Sequence, residues 1–416
     1  MTMRVFRETG NSRESRSMLD PFWTQAREQM MLDPSVANLN TGSFGPLSRV
    51  VFERATELRR VLAAEPMDFY VRRLPALLWE ARERLADFLN VDPRRLIFTP
   101  NVSVSINIVA SALRLAAPGE ILLTDHEYGS MHWCWERAAQ RQGLTCRTFP
   151  LPIMTEDPGA IVEAFLAAVS DRTRLLFFSH ILSPTGLILP AKELCAEARK
   201  RGILTVIDGA HAPGMLPLDV ARLGCDFYGS NCHKWLLAPS GSGFLYFGPG
   251  QEDCLQPMQV SWGYHYDRAK LDERDEFGTT PRIRALEFEG TRDPCPWLAV
   301  PTAIDFQAGL GWDRIRGRCA ALTAYARRRL TSLGLPLATP SNPALHGRLT
   351  AFRLPDNVNS QVLRDGLWEN RIEAPVIERP EKLMLRVSTH FYNTEDEIDK
   401  LASVLPALLK KARREN

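Results

Sequence analysis

Lys234 is the most conspicuous reactive group in the chain. From Phe227 through Gly250 there is no other Lys, Arg, Asp or Glu, and the lysine sits between a small polar turn, Gly229-Ser-Asn-Cys-His233, and the apolar Trp235-Leu-Leu-Ala-Pro239. A lysine usually packs its stem and leaves its ammonium in water. In so apolar a segment, burial would lower its pKa and free the amine as a nucleophile or base. Asp208 closes an apolar run, Ile203-Leu-Thr-Val-Ile207, and leads into Gly-Ala-His211. Arg386 interrupts Leu383-Met-Leu-Arg-Val-Ser388; its planar fork can pair both oxygens of a carboxylate, and a solvated edge arginine is the plain alternative. Pro100-Asn-Val-Ser103 leads from a short strand into an apolar helix, where free backbone N–H groups suit an anion. A simple cap by Ser103 would look the same. Asp125-His-Glu-Tyr128 and Ser183-Pro-Thr-Gly186 are two further polar turns after apolar runs.

These groups need elements to position them. Periodicity predicts a short helix within 19–35, a strand running into the Gly/Pro turn that ends at Pro46, and helices over 48–64 and 74–89 with Arg/Glu faces. Strands over 96–99, 120–124, 174–179 and 203–207 then alternate with helices over 106–113, 131–143 and 191–201. Apolar strands without polar alternation, separated by helices, indicate a parallel sheet covered on both faces. Ligands bind beyond the carboxyl ends of such strands, so all five polar turns should gather at one edge. From about residue 300 the pattern changes to an Arg-rich helix over 315–333, a strand over 349–354, a helix over 361–370 and a strand over 383–388. A last helix opens on Thr394-Glu-Asp-Glu397, a capping-box signature. The expected organisation is a flexible leader (1–18), a segment joining the small domain (19–37), a large α/β domain (38–299) and a smaller α+β domain (300–416). Residues 264–285, charged and punctuated by Gly and Pro, read as a long loop.

Composition narrows the classes. A chain of 416 residues, 45% hydrophobic with a net charge of +2, has ample core and no electrostatic bias toward nucleic acid or an anionic membrane. No apolar run approaches the roughly 20 residues of a membrane span. Eight scattered cysteines, without a Cys-x-x-Cys pair, fit reduced thiols in a cytoplasm. Zinc-ligand spacing and a Gly-x-Ser-x-Gly nucleophile elbow are absent.

Further stretches carry a resemblance: Leu39-Asn-Thr-Gly-Ser-Phe-Gly-Pro46, Glu65-Pro-Met-Asp-Phe69, His233-Lys-Trp-Leu-Leu-Ala-Pro239, Gln259-Val-Ser-Trp262, and Glu289-Gly-Thr-Arg-Asp293 with Pro296-Trp-Leu298. With the Asp208 and His233-Lys234 pair they resemble the class V aminotransferase group of fold-type I pyridoxal-phosphate enzymes, and within it the isopenicillin N epimerase-like subfamily. The likeness runs from about Asn38 to Leu401. It implies pyridoxal 5'-phosphate as cofactor and a homodimer with shared active sites. It further implies that Lys234 forms an imine with the cofactor and moves the Cα proton, that Asp208 bonds the pyridine nitrogen, and that Arg386 holds the substrate α-carboxylate. Val102, Ser103 and His233 match a phosphate cradle, and Ser183 and His211 match positions near the ring hydroxyl. His126 or Tyr128 would stack on the ring, and Thr279 or Thr280 would reach the partner subunit's phosphate. Asn231 stands where the family usually has a serine. Asn40 and Ser43 are further substrate-binding candidates. Arg292 is another, for a distal carboxylate, with a structural ion pair to Asp293 as its alternative.

The implied function is epimerisation at Cα of an amino-acid substrate in secondary metabolism, through a quinonoid. The alternative is C–S β-elimination from a cysteine S-conjugate, with or without decarboxylation. Epimerisation needs a second proton carrier facing Lys234, for which Tyr128, Tyr264 and His265 are candidates, or one base that serves both faces. Cysteine desulfurases place a nucleophilic cysteine before the strand of Arg386, whereas no cysteine follows Cys319 here; persulfide chemistry is therefore not expected.

Overall fold

The computed structural model describes residues 20–264, 270–379 and 382–413. The expected leader over 1–18 lies outside them. The chain opens with α1 (Pro21–Glu28), β1 (Ala37–Asn38), α2 (Arg49–Ala64) and α3 (Leu74–Leu89). Alternation follows in β2 (Leu96–Thr99), α4 (Val102–Ala112), β3 (Glu120–Thr124), α5 (Gly129–Gln142), β4 (Thr145–Phe149) and α6 (Pro158–Ala168). It continues through β5 (Thr173–Ser179), α7 (Ala191–Lys200), β6 (Leu204–Asp208), α8 (Val220–Leu223), β7 (Phe227–Asn231) and β8 (Gly243–Phe247). Helices α9 (Pro281–Glu287), α10 (Cys295–Leu298), α11 (Val300–Leu310) and α12 (Trp312–Thr331) come next. Last are β9 (Leu349–Arg353), α13 (Ser360–Glu369), β10 (Ile372–Glu373), β11 (Val376–Arg379), β12 (Lys382–Ser388) and α14 (Glu395–Lys411).

Seven strands form one sheet in the order β2-β8-β7-β6-β5-β3-β4. Only β8 runs against its neighbours; the rest are parallel. Successive residues feed opposite faces. Leu122, Leu176, Phe178, Ile207 and Phe244 join the core on one side, and Ile121, Leu123, Leu175, Phe177, Val206 and Leu245 the core on the other. That is why these strands read as unbroken apolar runs. A second, antiparallel sheet of β11-β12-β9 packs on α12 and α14, with Phe352, Leu385, Val387, Leu322, Leu401 and Leu405 in its core. The N-terminal segment is tied to it, because β1 pairs with β10 and Ala37 and Leu39 enter the same core. The capping box at Thr394 forms as expected. No helix among the described residues is long and apolar enough to cross a membrane.

Two expectations are corrected. Gly229-Ser-Asn is not a turn but the carboxyl end of β7, and the turn begins at Cys232. The loop expected over 264–285 already contains the start of α9, which Thr280 caps and Pro281 opens. Arg82 of α3, on a helix that reads as carrying an Arg/Glu face, is 1% exposed.

Candidate active site

The five polar turns gather as the topology requires. Each follows the carboxyl end of a parallel strand: Ser103 after β2, Asp125–Tyr128 after β3, Ser183 after β5, Asp208 at the end of β6, and Lys234 after β7. Registers align Ser179 with Asp208 and Asp208 with Gly229, so these strand ends lie side by side. The loop of residues 40–46 lies across the lysine turn, where Gly45 N–H donates to the His233 carbonyl (2.9 Å). A Cβ at Gly45 would stand 2.0 Å from the Lys234 carbonyl oxygen, so only glycine allows this approach. Just past the lysine, buried Leu237 holds the left-handed conformation (φ 59°), a strained backbone of the kind found at functional sites.

Lys234 Nζ lies 3.4 Å from His211 Nε2. Burial brings the lysine down to about pKa 8, with the Asp208 carboxylate opposing and Arg386 adding to the shift. His211 is held well below its ordinary pKa by burial, then by the charges of Lys234 and Arg386. Asp208 is 4% exposed. Burial raises its pKa, against the Ala210 amide that donates to Oδ1 (2.8 Å) and the charge of Lys234.

Arg386 links three parts of the chain. Its Nη1 donates to the Ser183 carbonyl (2.7 Å) and Oγ (3.1 Å), and its Nη2 to Asn40 Oδ1 (3.2 Å) and Ser43 Oγ (3.1 Å). All four partners are neutral, and among the described residues the buried Nε finds no partner. Burial lowers the guanidinium to about pKa 10, while Tyr128 pulls the other way. A buried cation without a counter-charge is a receptor for one.

The donor set fits pyridoxal phosphate. An amine of lowered pKa and a buried carboxyl lacking a cationic partner among the described residues stand ready for an aldehyde and a protonated ring nitrogen. At the start of α4, the Val102 amide is taken by Asn231 Oδ1 (2.9 Å) and the Val104 amide by Asn101 (3.1 Å), which leaves the Ser103 amide for an anion. Asn231 thus ties the cradle to β7. The His233 ring stacks on Phe44 at 6.3 Å. His126 is 6% exposed, with Nδ1 2.7 Å from Asp125 Oδ1, whereas Tyr128 is 54% exposed.

Some expected residues lie elsewhere. Arg292 pairs with Glu289 and stacks over Trp297 (4.5 Å); Asp293 pairs instead with Arg59 (2.8 Å). Arg292 and Thr279 line an apolar cavity of about 490 Å³ that Lys234, Asp208 and Arg386 do not line. Thr280 Oγ1 accepts from Ile283 N–H (3.3 Å) as the cap of α9. Tyr264 belongs to the Trp262–Tyr264 turn, and His265 lies outside the described residues. Cys232 is wholly buried, and burial raises its thiol pKa, so it offers no thiolate. Two residues were not singled out from sequence. Glu127, 6% exposed, accepts from Thr124 Oγ1 (2.6 Å), Ser179 N–H (3.0 Å) and Ser179 Oγ (2.6 Å). The Trp235 indole N–H donates to His211 Nδ1 (3.2 Å). Their only signal was proximity to quoted turns.

The family described as aminotransferase class-V matches residues 67–401. Isopenicillin N epimerase of Amycolatopsis lactamdurans is 57% identical over 94% of this chain and 100% of its own length. The Streptomyces clavuligerus protein of that name is 57% identical over 93% of this chain and 98% of its own. Among solved structures, a lysine-to-alanine variant of C-DES, with glycine covalently linked to the PLP cofactor, is similar at TM-score 0.80 and 25% identity. It covers 91% of this chain and 98% of that one. A second C-DES structure, the cystine C–S lyase with cysteine persulfide, is similar at TM-score 0.78 and 26% identity, covering 89% of this chain and 97% of that one.

Proposed function

Because the chain belongs to the aminotransferase class-V family of fold-type I, pyridoxal phosphate-dependent enzymes, we propose that it inverts Cα of an amino-acid substrate, as isopenicillin N epimerase does in antibiotic biosynthesis. The observation that carries this reading is Lys234, whose amine burial brings to about pKa 8 and which feels both the Asp208 carboxylate and the Arg386 guanidinium. When bound, pyridoxal phosphate supplies the sink for the electron pair left by a broken Cα bond. Asp208 keeps a proton on the ring nitrogen. Arg386 grips the α-carboxylate through its fork and so orients the Cα–H bond toward Lys234. With its pKa near working pH, the Lys234 amine can both take and return that proton. Buried His126, braced by Asp125, suits ring stacking. Exposed Tyr128, whose charge would be felt at Arg386, is then left on the open side as the second proton carrier.

The same reading includes a homodimer. Met67 (64%), Val71 (53%), Val260 (70%) and Trp262 (85%) are exposed apolar residues near or on the cavity that Thr279 lines, an area suited to a second copy. Two cores draw mainly on residues before 300, although Val300, Ala303, Ile304, Leu345 and Leu349 join one of them. A third core over 322–412, which Ala37 and Leu39 enter, supports a cofactor-binding region over 38–299 and a smaller region over 300–416 that residues 19–37 complete. The unpaired thiols fit a cytoplasmic enzyme.

Incubating the holoenzyme with isopenicillin N in deuterated water tests the reaction. Deuterium at Cα with both configurations present is the expected result. Release of pyruvate or a free thiol from a cysteine S-conjugate, without deuterium in isopenicillin N, would replace epimerisation with C–S cleavage.

A further inference from the structure

We infer that Trp235 is a positioning residue: its indole fixes which nitrogen of His211 carries the proton, and so keeps an N–H donor aimed at Lys234. An indole nitrogen can only donate. It lies 3.2 Å from His211 Nδ1, so Nδ1 must accept. A neutral imidazole with an accepting Nδ1 carries its proton on Nε2, the atom 3.4 Å from Lys234 Nζ. His211 is 2% exposed, and burial keeps it neutral.

The indole has little freedom to turn away. Trp235 is 0% exposed and its ring lies against His390 at 6.1 Å and 18°. Its carbonyl accepts from Gln307 Nε2 (3.2 Å), and a Cβ at Gly214 would stand 2.5 Å from the same oxygen. The charged or titratable groups around His211 and Lys234 are Asp208 from β6, His233 from the lysine turn and Arg386 from β12. Among the described residues none of these bonds His211 Nδ1, so the tautomer is set by Trp235.

The consequence is electrostatic. An N–H facing the lysine nitrogen opposes protonation there, whereas the other tautomer would present a lone pair and favour it. This rests on Lys234 carrying the cofactor, and holds whichever reaction follows.

The test uses holoenzyme labelled with 15N-histidine, the His211 signals being assigned by their loss in H211Q. Wild type should show the proton on Nε2; a proton on Nδ1 overturns the inference. Trp235→Phe keeps a ring and loses the donor. It should raise the pH midpoint of the cofactor's visible band by about one unit, the size of one lost hydrogen bond. In H211Q, which has no tautomer to set, the same substitution should move the midpoint by less than about a third of that. Equal shifts in the two backgrounds would show that the indole acts only through packing. Should W235F not fold, the wild-type nitrogen signals still decide. A protein without a visible band defeats the cofactor reading, while those signals decide the tautomer separately.

Discussion

Two arginines are buried to the same depth and do opposite things. Arg82 is 1% exposed and Arg386 2%. Arg82 Nη2 donates to both oxygens of Glu287 (2.6 and 2.7 Å), and its Nε to the Leu96 carbonyl (3.0 Å). Glu287 in turn accepts from Phe98 N–H (2.7 Å), and the guanidinium lies 5.6 Å from the Trp79 and Phe98 rings. Its counter-charge is part of the fold. Among the described residues Arg386 is bonded only to neutral oxygens. An unpartnered guanidinium nitrogen is common to both arginines, Nε in Arg386 and Nη1 in Arg82, so the missing carboxylate is the difference. Burial alone therefore does not mark a functional cation. What singles out Arg386 is burial without a carboxylate partner among the described residues, together with its charge being felt at Lys234 and His211.

Removing each cation should separate the two roles. Arg82→Leu leaves Glu287 as an unpaired buried carboxylate, and should cost about 3–5 kcal/mol in a denaturant titration. Arg386→Leu strands no charge, so stability should hold or rise, while amino-acid binding should fall by at least about thirtyfold. Comparable destabilisation by both, with substrate binding kept in R386L, would erase the distinction.

Glu127 makes the same comparison for carboxyls. Glu287 meets a cation; Glu127 meets only hydroxyls and an amide, and burial raises it from 4.5 to about 7, with the Asp208 charge adding to the effect. A carboxyl whose folded pKa stands above its unfolded value holds its proton more tightly when folded. Its contribution is therefore whole below 4.5 and is lost as pH rises through about 7. In the cofactor-free protein, the stability difference between wild type and Glu127→Gln should shift by on the order of 3 kcal/mol across that window, in favour of the variant at high pH. A difference that stays flat with pH would mean that Glu127 is ionised throughout.

The sequence made one side of this comparison far more legible than the other. Lys234, Asp208 and Arg386 each stand as a lone charge in or at the end of an apolar run, and apolar runs are what period-two burial leaves in sequence. Arg82 is one of two arginines, with Arg84, on a helix with an Arg/Glu face, so nothing local distinguishes it from its charged neighbours. Gly229 looked like turn chemistry because its smallness was read as flexibility. In β7 it is a clearance, since a Cβ there would stand 2.9 Å from Ser105 Cβ of α4. The edge strand β4 has an exposed-to-intermediate pattern, too weak to register. Trp235 was quoted for its apolar character, and its donor could be placed only once the direction of the indole was known.

The smallest expected effect supplies the control. Arg59 and Asp293 make the same kind of contact as Arg82 and Glu287, at 2.8 Å, but with side chains 49% and 42% exposed. Water already solvates both groups, so little is lost when one leaves. Asp293 would still accept from Cys295 N–H (2.9 Å) at the start of α10. Arg59→Ala should therefore cost under about 1 kcal/mol. That cost should shrink further in concentrated salt, because exposed charges are screened. The Arg82→Leu penalty should persist there, since no salt ion reaches Glu287. Equal penalties for the two substitutions would mean that contact distance and not desolvation governs these pairs, and the inference from Arg386's missing counter-charge to a substrate carboxylate would lose its physical basis.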